Sequence, residues 1–231
     1  MEEQVPMINV RTLYDRLAAP VTAFDCGKKC APHNPSGKPF CCDICQAVPA
    51  AYYQEWEYLR LHTDLWHAWR GDECPEDPTD PETLRAAYPE HMLPLACKGP
   101  THCQRSYPAL SCRQFPFFPY ITSRGRFLGL AYEWAFEPTC WVISNLDAVT
   151  DEFRQAFVSV YAEILAGWQA EFESYYTLSA EMRQHFAGLK RRIPILHRNG
   201  GYYLLSPVSE RLQRIAPERF RRFGEYRLEK S

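Results

Sequence analysis

Ten cysteines are the residues of this 231-residue chain whose type and spacing could do chemistry. Eight of them fall into two groups, Cys26, Cys30, Cys41, Cys42 and Cys45 in the first, and Cys97, Cys103 and Cys112 in the second. Thiolates bind soft or borderline metals, namely zinc, iron–sulfur clusters and Cu(I). The adjacent Cys41 and Cys42 do not fit the geometry of a mutual disulfide without backbone distortion. The pattern therefore predicts a metal site.

The number of cysteines is compatible with two sites of four ligands, or with one multinuclear site. Structural zinc and [4Fe–4S] clusters each take four protein ligands. Cys74 lies in an acidic, proline-rich loop at 71–81 and is a poor ligand candidate, and Cys45 is an extra cysteine in the first group. Without these two, the predicted metal ligands are Cys26, Cys30, Cys41, Cys42, Cys97, Cys103, Cys112 and Cys140. Whether Cys45 replaces Cys30 stays open.

Iron is the predicted metal, with zinc as the alternative. Adjacent side chains such as Cys41 and Cys42 tend to point in different directions, which suits ligation of two different irons. Arg113 directly follows Cys112 and is the predicted cofactor-binding residue, because a guanidinium can neutralise a thiolate cluster or hold a substrate carboxylate. A salt bridge from Arg113 to an acidic neighbour is equally open.

The cysteine motifs resemble a known family. Phe24-Asp25-Cys26-Gly27, the Cys41-Cys42 pair and Cys103-x8-Cys112-Arg113-Gln114-Phe115-Pro116-Phe117 are similar to the CxxCxxCC zinc- or iron-chelating cysteine-cluster proteins. Cys97, Cys103, Cys112 and Cys140 match the later cysteines of that family, and the resemblance covers roughly residues 24–142. It implies metal binding without a settled reaction.

The chain departs from the family pattern at two places. The compact CxxCxxCC is opened by the insertion 31–40, and Cys45 is additional. Residues 104–107, Gln-Arg-Ser-Tyr, also replace the usual Ile-Tyr segment. The final 90 or so residues, a length comparable to a small domain, lie outside the resemblance.

Composition indicates a cytoplasmic protein without a membrane segment. The start, Met1 to Pro6, is acidic and lacks the apolar stretch of a secretory signal, and no apolar run approaches the ~18 residues of a membrane span. In a reducing compartment cysteines serve as ligands or catalysts more often than as bridges, although a disulfide framework remains the alternative. The net charge is −2, with an excess of positive charge in 183–231. Charges alternate in sign there, so nucleic-acid binding is not expected.

Residue patterns predict the elements that position the cysteines. Helices are expected from Pro49 through Trp69, at 81–88, at 150–173, at 179–189 and at 208–230. Hairpins are expected at 120–132 and at 193–205, the second with a type I′ turn at Asn199-Gly200. Breaker-rich segments at 24–46 and 97–112 predict irregular loops that carry the cysteines.

These expectations define one fold and three functional hypotheses. The predicted fold is α+β, mostly helical with irregular cysteine-rich loops and short β-hairpins. The predicted domains are 1–145, a cysteine-cluster metal-binding domain, and 146–231, a helical C-terminal extension with a β-hairpin, packed on the first part. The leading hypothesis is an iron–sulfur or iron protein with a redox or catalytic role. The alternatives are a structural zinc module that binds a protein partner, and an enzyme that resembles flagellin lysine methylases. Nothing in the sequence identifies the partner.

Overall fold

Two antiparallel sheets organise this protein, which corrects the prediction of a mostly helical chain with short hairpins. The computed structural model describes residues 9–76, 78–104 and 106–227. Helices make up 43% of the structure and strands 17%, in sheets of three and five strands, so the fold is mixed α+β. The sequence undervalued the strands because many are only three to five residues long, too short to establish a clear alternating pattern.

The described chain divides into two units, each with its own sheet. We call residues 9–15 and 25–115 the thiol unit, and residues 16–24 and 116–227 the sheet unit. They differ in extent from the predicted domains 1–145 and 146–231, which stay a prediction. The segment Met1 to Pro6, which was predicted to lack the apolar stretch of a secretory signal, lies outside the described residues.

The thiol unit combines short helices with a three-stranded antiparallel sheet in the order β1-β3-β2. Its helices are α1 (Val10–Arg16, of which residues 10–15 belong to this unit), α2 (Gly27–Cys30), α3 (Tyr53–His62), α4 (Pro81–Ala86) and α5 (Leu110–Gln114). Its strands are β1 (Ala50–Tyr52), β2 (Trp66–Ala68) and β3 (Met92–Cys97). Single 3₁₀ turns occur at Ala31–His33, Phe40–Cys42 and Pro100–His102.

A small apolar core lies between the helices and the sheet of the thiol unit. Tyr14, Leu59, Leu65 and Leu95 are buried there, and the partly buried Cys112 packs against them. Burying apolar surface is the main driving force for folding. The core therefore fixes the position of Cys112 within this unit.

The sheet unit contains a five-stranded antiparallel sheet in the order β4-β5-β6-β7-β8. Its strands are β4 (Phe117–Ile121), β5 (Phe127–Tyr132), β6 (Ile193–His197), β7 (Tyr202–Leu205) and β8 (Leu212–Arg214). Its helices are α6 (Trp141–Ser144), α7 (Asp151–Gly167) and α8 (Gln169–Gly188). Further 3₁₀ turns lie at Trp134–Phe136, Leu146–Ala148, Pro217–Arg219 and Gly224–Tyr226.

A proline in the edge strand β4 and a glycine in β5 are both suited to their positions in this sheet. Pro119 lacks an N–H group, which suits the edge position of β4. Gly129 pairs with His197, has a φ of 138° and leaves no room for a side chain, since an added Cβ would lie 2.3 Å from the backbone oxygen of Leu196. Only glycine allows β5 and β6 to approach this closely.

The predicted helix at 150–173 is two helices. Its start is confirmed, because the Thr150 side chain accepts a hydrogen bond of 3.2 Å from the backbone N–H of Phe153. The apolar stripe through Phe153 and Phe157 is also buried as expected. The chain leaves helical geometry at Trp168, where φ is −136° and ψ is 102°, and α8 begins at the next residue. Because the apolar spacing continues through Trp168, the break could not be predicted from the residue pattern.

Several other local predictions are wrong. Pro49 precedes a strand rather than opening a helix, and Trp66 lies in β2. The hairpin at 193–205 is confirmed, but its turn is longer than type I′: His197 pairs with Gly201, and Gly200 alone has a positive φ. This arrangement is typical of a three-residue loop with a bulge. The part of 208–230 that is described contains β8 and two 3₁₀ turns, and residues 228–230 lie outside the described chain.

No helix within the described residues combines the length and the apolar character that crossing a membrane requires.

Candidate metal centre

Four short elements of the thiol unit carry five of the predicted ligands. Cys41 and Cys42 end the 3₁₀ turn Phe40–Cys42, and Cys97 is the last residue of β3. Cys103 directly follows the 3₁₀ turn Pro100–His102, and Cys112 is the third residue of α5. Each thiol therefore lies at the end of an element or on a short helix. A side chain on such an element is held more rigidly than one within a long loop.

These five cysteines line one cavity of about 80 Å³ in the thiol unit. This volume has room for several water-sized groups. The remainder of the wall is apolar or backbone and consists of Ile44, Ala47, Pro49, Leu65, Trp66, Gly99, Pro100 and Pro108. The lining thus offers sulfur donors in an otherwise apolar surrounding, which is the donor chemistry that soft metals prefer.

Cys112 lies at the floor of the cavity, where it packs against the core of the thiol unit, and Cys103 lies at the exposed rim. Burial raises the pKa of the Cys112 thiol well above its usual range, and the nearby Cys97 and Cys42 raise it further. Burial also raises the pKa of Cys97, to which Cys42 adds. Cys103 is exposed. A metal-free cavity therefore favours protonated thiols at Cys112 and Cys97, and a bound cation would favour the thiolates.

Cys41 and Cys42 form a close sulfur pair. Their Sγ atoms lie 4.0 Å apart, and the contact with Cys41 lowers the pKa of Cys42 in spite of its burial. Two thiolates at 2.3 Å from one tetrahedral ion would be about 3.8 Å apart. The 3₁₀ turn Phe40–Cys42 thus directs both sulfurs to the same side. This separation differs from the divergent side chains that the sequence led us to expect.

The cavity thiols are not arranged around a position for a single metal ion. Among the described residues, no group of three or more His, Cys, Asp or Glu side chains is arranged to hold one metal ion. An iron–sulfur cluster makes a different demand, because each thiolate binds its own iron and the ligands surround the cluster. The five cavity thiols are donors of the type that such a cluster needs, and they are distributed around one space.

A buried carboxylate that the sequence analysis missed supports the floor of the cavity. Glu55, on α3, is 1% exposed and accepts hydrogen bonds of 2.6 Å from the Tyr14 hydroxyl and from the backbone N–H of Leu110. Leu110 begins α5, whose first N–H groups have no partner within the helix. Burial raises the pKa of Glu55 to about 7, against the hydrogen bonds that lower it. Glu55 was hidden because nothing in a sequence distinguishes a buried glutamate from the many exposed ones.

Arg113 stabilises the segment 106–108 next to the cavity. Its guanidinium lies over the Tyr14 ring, 4.1 Å from the ring centre, and donates hydrogen bonds to the backbone oxygens of Pro108 at 3.1 Å and Ser106 at 2.9 Å. Pro108 is part of the cavity wall. These contacts make Arg113 a support of the wall, and its predicted role in cofactor binding stays a prediction.

The insertion at 31–40 folds back onto the first cysteine group. Asp43 is buried and accepts hydrogen bonds from Asn34 at 3.0 Å and Ser36 at 2.6 Å. Burial alone would raise the pKa of Asp43, but these hydrogen bonds and one from the Cys45 backbone N–H lower it. Hydrogen bonds to Asp43 therefore hold the insertion that interrupts the CxxCxxCC spacing next to Cys42.

The two cysteines excluded from the predicted ligand set are bonded to each other. Cys45 and Cys74 form a disulfide with a Cα separation of 5.5 Å, and the other eight cysteines carry thiols. Cys74 lies in the core with Trp69 and Ala96. The sequence could not predict this pairing, because the two residues are 29 positions apart in loops without a regular pattern.

Three predicted ligands do not line the cavity. Cys30 is buried, its thiol lies 3.5 Å from the Gly27 backbone oxygen, and burial raises its pKa. Cys26 precedes α2 and is partly buried. Cys140 belongs to the sheet unit, where it precedes α6. The structure thus groups five of the eight predicted ligands around one space.

Comparison with known proteins adds no relatives. No protein-family model matches the chain, no curated protein matches it, and no solved structure matches it. The resemblance to the CxxCxxCC proteins therefore stays a prediction, and the geometry of the cavity is the basis for inferring function.

Proposed function

We propose that the thiol unit binds an iron–sulfur cluster through the cysteines of its cavity. The observation that carries this proposal is the grouping of Cys41, Cys42, Cys97, Cys103 and Cys112 around one apolar-walled space. Those residues come from four elements spread over 72 positions of the chain, from 41 to 112. The grouping of several thiols from distant segments around one space is typical of cysteine-ligated clusters.

Four of the five cavity cysteines suffice for a [4Fe–4S] cluster. Cys42, Cys97 and Cys112 are three of the proposed ligands, because they are partly buried and interact electrostatically with one another. The fourth ligand is Cys41, beside Cys42, or Cys103 at the rim. Cys26, Cys30 and Cys140 remain predicted ligands outside this cavity.

Such a cluster supplies one-electron transfer, or a Lewis-acidic iron where one iron lacks a thiolate. The chain's own contribution is to hold the thiols and to exclude water. Leu65, Trp66 and Pro49 line the space with apolar groups, which lowers the local dielectric and tunes the potential of a bound centre. A reducing compartment such as the cytoplasm belongs to this proposal, because the ligands must be thiolates.

A single zinc ion is the second candidate for the bound metal, and one observation favours it. The separation of 4.0 Å between the Cys41 and Cys42 sulfurs is close to the spacing of two thiolates on one tetrahedral ion. Zinc would then have a structural role and the unit would serve as a binding module. No contact among the described residues favours the lysine-methylase-like alternative, and we do not propose it.

Metal analysis and spectroscopy of anaerobically purified protein test the proposal. We expect iron and acid-labile sulfide in equal amounts, broad visible absorption, and bleaching of that absorption on reduction with dithionite. Stoichiometric zinc in a colourless protein would support the zinc module instead. A protein that takes up neither metal, even after anaerobic reconstitution with iron and sulfide or titration with zinc, would refute both candidates.

A further inference from the structure

The segment between Cys41 and Val48 forms one side of the cavity and is covalently attached at its middle. Cys41, Cys42, Ile44 and Ala47 all line the cavity, and Cys45 lies between the last two. The Cys45 sulfur is bonded to Cys74, which is 4% exposed and packed in an apolar cluster. The disulfide therefore connects this wall of the cavity to the core of the thiol unit.

Weaker contacts hold the two ends of the same segment. Asp43 accepts hydrogen bonds from Asn34 and Ser36, and the Val48 backbone oxygen accepts one of 2.7 Å from the Tyr88 hydroxyl. These contacts would persist without the disulfide. Loss of the disulfide is therefore expected to loosen the wall between Asp43 and Val48 and to leave the rest of the unit folded.

The two residues of the disulfide differ in exposure. Cys45 is exposed, whereas Cys74 is buried among Trp69, Ala96 and Leu84. An external thiolate can reach the Cys45 sulfur, and exposed disulfides are the ones that undergo exchange most readily.

We propose that the disulfide between Cys45 and Cys74 is a redox-controlled clasp on the wall of the cavity, reduced by a dithiol. When the disulfide is formed, it fixes the part of the cavity wall that contains Ile44 and Ala47. When the disulfide is reduced, this wall can move. The consequence for metal exchange rests on the proposed function, whereas the mobility of the wall does not.

The exchange is balanced in electrons and protons. A thiolate of the dithiol attacks Cys45 Sγ, the bond between Cys45 and Cys74 breaks, and Cys74 Sγ leaves with the electron pair and takes up a proton. The second thiol of the reductant then attacks the mixed disulfide and releases Cys45, which is protonated in turn. The clasp gains two electrons and two protons, and the dithiol loses the same and becomes a disulfide. An oxidising disulfide reverses the reaction.

Hydrogen exchange of the metal-free protein tests the clasp directly. Dithiothreitol is the probe, and we expect exchange in residues 43–48 to accelerate at least tenfold on reduction, with no change in α3 (Tyr53–His62). The control is the double variant Cys45→Ser with Cys74→Ala, which should exchange fast in 43–48 with or without dithiothreitol. Unchanged protection after reduction would refute the clasp, and so would loss of protection throughout the thiol unit, which would indicate a structural bridge.

Thiol counting and metal release complete the test. Unfolded but unreduced protein should present eight reactive thiols, and ten after reduction; ten before reduction would also refute the clasp. If metal binds, a chelator should remove it at least fivefold faster from the reduced protein, measured by loss of visible absorption or by a zinc indicator. Equal release rates would refute the effect on metal exchange. A protein that binds no metal would refute the proposed function, and the hydrogen exchange result would still decide the clasp.

Discussion

The Glu55 carboxylate accepts a hydrogen bond of 2.6 Å from the backbone N–H of Leu110, two residues before Cys112. The same oxygen accepts the Tyr14 hydroxyl at 2.6 Å, and the other oxygen accepts the backbone N–H of Tyr52 at 3.3 Å. One buried side chain therefore connects α1, the start of α3 and the start of α5. Since α5 carries Cys112, Glu55 determines where the floor of the cavity lies.

Replacement of Glu55 by alanine should destabilise the thiol unit and expose Cys112. The change leaves the Tyr14 hydroxyl and the Leu110 N–H without their acceptor, and each such buried group costs about 1–3 kcal/mol. We expect the free energy of unfolding in urea to fall by about 3 kcal/mol and alkylation of Cys112 to accelerate. Glu55→Gln keeps an acceptor oxygen and is the control, with a loss of about 1 kcal/mol at pH 6. Equal losses in the two variants would contradict this role.

The pH dependence of stability should carry a contribution from Glu55. Burial raises its pKa from 4.5 to about 7, so the folded state binds the proton more tightly than the unfolded state. This contribution is fully present below pH 4.5 and is lost as the pH rises through 7, and it amounts to about 3 kcal/mol. Urea unfolding between pH 5 and 8 should therefore show a steeper decline for the wild type than for Glu55→Gln. Parallel profiles would exclude a raised pKa at this residue.

Replacement of Cys112 by serine should abolish the proposed centre. Cys112 packs against the apolar core of the thiol unit and is a ligand in both proposed ligand sets, and its loss leaves α5 without a thiol in the cavity wall. We expect bound metal per chain, measured after anaerobic reconstitution, to fall at least fivefold. Cys74→Ser is the control: it opens the disulfide but should retain the metal stoichiometry at saturation. The ligand assignment is wrong if Cys74→Ser loses the metal and Cys112→Ser retains it.

Replacement of Asp43 by alanine should release the insertion 31–40 from the first cysteine group. Asp43 accepts side-chain hydrogen bonds from Asn34 and Ser36 and a backbone hydrogen bond from Cys45. We expect a loss of about 2 kcal/mol of unfolding free energy and faster hydrogen exchange in residues 34–47. Asp72→Ala, at an exposed position, should change stability by less than about 0.5 kcal/mol. Similar effects of the two changes would argue against an anchoring role of Asp43.

Replacement of Ser179 by alanine should destabilise the sheet unit. The register of β4 and β5 shifts at Tyr120 and Ile121, and the Ile121 N–H donates to Ser179 Oγ at 2.9 Å. Without that oxygen a buried N–H is left unpaired, at a cost of about 1–3 kcal/mol. Ser174→Ala, on the same helix, removes a hydroxyl that donates to the Ala170 oxygen and should cost less than about 0.5 kcal/mol, because that oxygen remains in the helix. Thermal or urea unfolding distinguishes the two variants, and equal stability would contradict the role of Ser179.

Local patterns were sufficient to predict some elements of this fold. The α7 start at Thr150 and the hairpins around 125 and 199 were predictable because a cap and a glycine turn act over three or four residues. The strand at Trp66 was not, since it depends on pairing with Cys97, 31 positions along the chain. The strand β8 was missed because its three residues are all exposed and show no alternation of buried and exposed positions. The break at Trp168 leaves no signal in the apolar spacing. Propensity is a weak signal wherever pairing with a distant segment decides the structure.

By itself the sequence determined the chemistry available to this protein: ten thiol-bearing residues, and eight ligand candidates once Cys45 and Cys74 were set aside. Only the tertiary structure decided which of them share a space, placing five around one cavity and joining Cys45 to Cys74. It also brought Glu55 to the backbone of Leu110 across 55 positions of the chain. The reason is physical: residue type fixes which donors are present, whereas distance between donors depends on how the core buries its apolar surface.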